Sequence, residues 1–134
     1  VAKRSRKEEW LMAKMTAKTT RTRKINAYVR QLSPLLDRCD DDQKKSILKI
    51  LIDKIAYLTV CLEETKDITV REGTVVEYNN GGGQAGIRAH PAVQVYTQYS
   101  KTLAADLKQL REFLPEEEKK NDELTAFLNQ HPTK

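Results

Sequence analysis

Between Gly73 and Val93 the chain reads GTVVEYNNGGGQAGIRAHPAV. Val75, Val76 and Tyr78 favour extended backbone, and Val70 just upstream is a strand former too. Asn79-Asn80-Gly81-Gly82-Gly83 is turn chemistry, because Asn and Gly tolerate positive φ. Ala85 to Arg88 then returns antiparallel, which makes a β-hairpin. A lone two-stranded hairpin is marginally stable in water, so it is expected to pack on helices or on a neighbouring subunit. His90-Pro91 opens the next helix, since proline is pre-set for a first helical position.

Long helical patterns lie on both sides. Upstream, Ile47, Leu48, Leu51, Ile55, Leu58 and Leu62 form one stripe of a helix expected from Gln43 to Lys66. Ile50, Ile52, Tyr57, Val60 and Cys61 add apolar groups on its other faces, so this helix must be covered on several sides. Asp40-Asp41-Asp42 is its start signal, an acidic cap at the positive end of the helix dipole. Downstream, Tyr96, Tyr99, Leu103, Leu107, Leu110 and Leu114 step by 3, 4, 4, 3 and 4, a coiled-coil-like seam. Pro115 stops it, and Glu116-Glu117-Glu118 suits the first turn of a short acidic helix ending near Leu128, with Leu124, Phe127 and Leu128 as its apolar edge. The closing HPTK is expected to fray.

Further upstream, Ile25, Tyr28, Val29, Leu32, Leu35 and Leu36 mark one helical face over Lys24–Leu36, which Pro34 bends or ends near Leu32-Ser33. Residues 1–22 have an apolar edge at Leu11 and Met15, with Trp10 nearby. The threonines of Thr16–Thr22 weaken any continuous helix there and predict a hinge or frayed segment. The fold class is therefore mainly α: a helical hairpin of coiled-coil-like long helices with a short β-hairpin insertion, in an oligomer. The regions are 1–42, a basic DNA-binding arm plus short helix; 43–114, an oligomerisation core; and 115–134, an acidic tail.

The chain is 134 residues long with a net charge of +5. That figure hides an asymmetry. Residues 1–30 hold ten Lys/Arg against Glu8 and Glu9, and residues 31–134 hold 14 basic against 17 acidic residues. A basic arm on a mildly acidic body is the footprint of phosphate-backbone binding, or else a solvated terminus. Cys39 and Cys61, 22 apart and without CxxC spacing, suit a reducing compartment, with Cys61 a small buried hydrophobe. Lys49, Asp53 and Lys54 interrupt the best apolar run, which excludes a membrane span. Trp10–Ala13 is too short for a signal core, and Lys14 ends it, so an intracellular protein is expected.

Catalytic chemistry is not readable. Gly81-x-Gly83-x-x-Gly86 matches a dinucleotide fingerprint only nominally: no helix starts at Gly86 and no βαβ unit surrounds it. His90 and His131 would have to join both cysteines without motif spacing to hold zinc. Ser5, Ser33, Ser46 and Ser100 lack an elbow motif. No catalytic residue, metal or cofactor is therefore assigned. A helix-turn-helix built from residues 24–36 and 43–66 would have an acidic turn, Cys39 to Asp42, without glycine.

The ordered set Glu72-Gly-Thr-Val-Val-Glu77, Asn79-Asn-Gly-Gly82 and His90-Pro-Ala-Val93, followed by a Leu-spaced helix, resembles the phage terminase small subunit family of P27 type. The likeness covers about residues 43–114. It implies a non-enzymatic DNA-packaging component in the cytoplasm of a bacterial host. Such subunits form rings, bind double-stranded viral DNA and present it to the terminase large subunit, which carries the ATPase and nuclease. The DNA-binding candidates are Arg4, Arg6, Lys7, Lys14, Lys18, Arg21, Arg23 and Lys24. The assembly candidates are Ile47, Leu51, Ile55, Leu58, Tyr99, Leu103, Leu107 and Leu110. The rival readings are a coiled-coil protein–protein adaptor, a simple helical DNA-binding dimer, and a small enzyme using the Gly-rich loop.

Overall fold

The computed structural model describes residues 3–114 and 122–130. Four helices and one hairpin follow in order: α1 (Arg6–Leu32), a 3-10 turn (Ser33–Arg38), α2 (Asp42–Glu72), β1 (Val75–Asn79), β2 (Ala85–Ala89), α3 (Pro91–Phe113) and α4 (Asp122–Gln130). The chain is thus mainly helical, with one small antiparallel sheet. Pro115 and Glu116–Glu118 lie outside the described residues, as does His131.

Asp41 caps α2, its carboxylate accepting from Gln43 N–H at 2.8 Å. The helix runs six residues past the expected Lys66, so Val70 is helical and exposed instead of starting a strand. Gly73, at φ 84°, supplies the stop: its N–H donates to Thr69 O at 2.8 Å, in a conformation L-residues rarely adopt. His90 caps α3, its Nδ1 accepting from Ala92 N–H at 3.0 Å. That leaves the ring proton on Nε2, 3.3 Å from Glu72 Oε1, so one side chain joins the end of α2 to the start of α3.

The two long helices lie antiparallel across this link and bury one cluster. Leu48, Ile52, Ile55 and Leu58 of α2 pack with Leu103, Leu107 and Leu110 of α3. Leu32 from α1, Leu35 from the 3-10 turn, Cys39 (buried, as Cys61 was expected to be and is only in part), Leu114 at the end of α3 and Phe127 from α4 complete the cluster. Its members therefore come from all three regions marked out in the sequence. Inside the seam sits a carboxylate. Asp106 is 5% exposed, with Oδ1 3.3 Å from Lys54 Nζ and Oδ2 buried with no hydrogen-bond partner among the described residues.

The hairpin forms in the register Val75↔Ala89 to Asn79↔Ala85, with Gly81, Gly82 and Gly83 at positive φ in its tip. Of the two covers expected for it, the helices provide little. Every residue of β2 is exposed, Ile87 at 71%, and only Val76 and Tyr78 of β1 are partly covered. Gly86 lies beneath the Tyr78 ring, where a Cβ would stand 3.1 Å from the hydroxyl. The last glycine of the nominal dinucleotide fingerprint therefore serves a tyrosine.

Lys54→Ala strands the Asp106 carboxylate and is expected to cost about 1–3 kcal/mol. Adding Asp106→Asn should recover most of that loss in thermal unfolding followed by circular dichroism. A double variant no more stable than the single one would mean that Lys54 does not hold Asp106.

Candidate nucleic-acid interface

Helix α1 is built in two halves. From Ile25 onward it is rooted. Tyr28 donates its hydroxyl to Glu63 of α2, meets Phe127 of α4 edge-on at 6.0 Å between ring centroids, and is followed by fully buried Leu32. Burial and then the bond to Glu63 push the Tyr28 phenol above its ordinary range. From Lys3 to Lys24 every residue is exposed.

That exposed half is nevertheless a regular helix, where a hinge at Thr16–Thr22 was expected. A capping box starts it: Ser5 Oγ accepts from Glu8 N–H at 3.2 Å, and Glu8 Oε2 accepts from Ser5 N–H at 3.0 Å. Thr19 Oγ1 donates to Met15 O at 2.9 Å, which satisfies the hydroxyl within the helix. The threonines therefore fit α1 without interrupting it.

Seven of the eight DNA-binding candidates lie on this half-helix, and Arg4 precedes its cap. Lys7, Lys14, Lys18 and Arg21 run along one line of α1. Arg6, Arg23 and Lys24 stand off that line. Lys14 lies over the Trp10 ring, 4.5 Å from its centroid, in a cation–π contact. Arg21 departs from the others: its Nε donates to Glu64 Oε1 at 2.6 Å. That hydrogen bond, and then the Glu64 charge, raise the guanidinium above its ordinary value, so Arg21 stays cationic. A shallow open hollow runs along α1 from Met15 and Lys18 past Thr22, Arg23 and Asn26 to Arg30. Sequence reasoning counted Arg30 among the basic residues without assigning it to the interface. Its helical spacing from Arg23 was the available signal.

The assembly candidates separate differently. Leu51, Ile55, Leu58, Leu103, Leu107 and Leu110 are buried by the chain itself, and Tyr99 packs partly against the same cluster. Ile47 is exposed, with Ile50 and Tyr57 on the same outer side of α2. Trp10, Leu11, Met12 and Met15 are also open to solvent. Among the described residues no group of three or more His, Cys, Asp or Glu could hold a metal ion, and no helix is long and apolar enough to cross a membrane.

Compared with protein-family models, curated proteins and solved structures, the chain matches none.

The raised Tyr28 phenol gives a pH dependence of known sign. A neutral phenol held in the fold contributes stability that is fully present below the ordinary phenol value of about 10 and is lost as pH rises through the higher folded value. Tyr28→Phe should remove that alkaline loss and cost about 1 kcal/mol at neutral pH. Urea unfolding at neutral pH and above the ordinary phenol range checks both. An unchanged alkaline slope in the variant would assign the loss to another group.

Proposed function

We propose that this chain is a non-enzymatic DNA-binding subunit that assembles with copies of itself and presents double-stranded DNA to a larger motor protein, as a phage terminase small subunit does. The observation that carries the reading is the exposed half of α1, a capped helix whose cations, apart from Arg21 paired with Glu64, stand clear of the body. Lys and Arg neutralising phosphates give sequence-independent affinity that falls steeply with salt. The resemblance over residues 43–114 supports the packaging role, the large subunit as partner and the bacterial cytoplasm as its place. For assembly, the exposed row Ile47, Ile50 and Tyr57 on α2 is the proposed contact, since the leucines of the seam are already occupied.

The second reading, a protein–protein adaptor, is favoured by one observation. Trp10 is 56% and Met15 67% exposed on the same half-helix, and phosphate binding alone does not call for them. A gel-shift titration separates the two readings, because an adaptor does not bind duplex DNA at moderate salt.

Replacing Arg21, Arg23 and Lys24 together with Ala should weaken DNA binding and flatten the slope of log affinity against log salt by about two to three. Unchanged affinity and slope would rule out the arm. Native mass spectrometry tests assembly: a discrete species of many copies is expected, and a monomer would remove the ring.

A further inference from the structure

The DNA-binding reading leaves open how the cations meet the duplex. We infer that the exposed half of α1 enters the major groove of double-stranded DNA as a preformed helix, an inference that rests on that reading. An α-helix with its side chains is about 10–12 Å across, and the DNA major groove is about 12 Å wide. The minor groove, about 6 Å wide, does not admit it. The major groove of duplex RNA is too deep and narrow for side chains to read.

The placement of charge fits a groove better than a flat surface. Lys7, Lys14 and Lys18 run along one line of the helix, and Arg6, Arg23 and Lys24 lie off it. A helix in a groove has a phosphate wall on each side, and cations on more than one side can reach both. Thr16, Thr19 and Thr20 share the remaining surface with Met12 and Met15. The hydroxyls of Thr16 and Thr20, and the methyl groups of all three threonines, suit base edges and thymine methyls.

Rigidity separates this mode from a flexible basic tail, which binds phosphates without holding a helical shape. Capping and rooting on α2 give the helix its direction before DNA arrives, so less ordering accompanies binding.

The test uses the full chain and three probes: a mixed-sequence DNA duplex, the same duplex with glucosylated hydroxymethylcytosine filling the major groove, and an RNA duplex of the same sequence. Plain DNA should bind at least about tenfold more tightly than either of the others. Ala13→Pro breaks the exposed half-helix at constant charge. It should lower affinity for plain DNA by a similar factor while leaving the melting temperature unchanged, because residues 3–24 lie outside the core. Equal binding to glucosylated DNA, or an Ala13→Pro variant as tight as the parent, would overturn groove insertion while DNA binding itself stands. No binding to any of the three would overturn the DNA reading and the inference together.

Discussion

Helix α2 is buried between its own neighbours, and the order of the other elements follows from that. Leu48, Ile52 and Ile55 are covered from one side by α3 and from the other by α1, the 3-10 turn and Phe127. Each such side chain contributes roughly 1.5–3 kcal/mol when removed from water. The seam is also where a polar group is tolerated. Asp106 gains nothing in apolar burial, yet its contact with Lys54 holds α3 at one position along α2. Shifting α3 by one residue would bring Ala105 or Leu107 against Lys54 and turn the carboxylate elsewhere. A buried charge can therefore define register where leucines alone allow sliding.

The basic half-helix inherits its order from that seam. A helix is costly to nucleate and cheap to extend. Nucleation of α1 is settled between Ile25 and Leu32, where Tyr28 and Leu32 are held by α2 and α4. Extension toward Arg6 then adds one hydrogen bond per residue fixed, and the Ser5–Glu8 capping box satisfies donors at the far end. Removing the root would leave a Thr-rich, highly charged segment that has little reason to stay helical by itself. The hairpin depends on the seam in the same way: two five-residue strands with exposed faces persist because α2 and α3 hold their ends together at Glu72 and His90.

Periodicity and punctuation made most of this legible. The apolar stripes of α2 and α3, the caps at Asp41 and His90, the helix end before Pro34, and the Asn-Gly turn are all local signals with a local cause. The misreadings share a cause as well. Val70 and the threonines of α1 carry propensities of a few tenths of a kcal/mol, which cooperative extension from a packed neighbour overrides. The purpose of an apolar stripe was also illegible, because a row of leucines reads the same whether its cover comes from the same chain or from another copy. In the candidate site, the exposure and spacing of the cations followed from sequence. The pairing of Arg21 with Glu64 did not, since the two are 43 residues apart and only the crossing of α1 over α2 joins them.

That pairing bears on how the interface works. Arg21 and Glu64 are both substantially exposed, and exposed ion pairs contribute little to stability because water and salt screen them. The root of α1 therefore lies in Tyr28, Leu32 and Phe127, not in the ion pair. On the proposed DNA-binding reading, Arg21 can exchange Glu64 for a phosphate oxygen without loosening the helix that carries it. The converse does not hold: disturbing Tyr28 or Phe127 would change the direction of α1 and move every cation on it at once. On that reading the charges decide what is bound, while the aromatic pair at the base decides where those charges point.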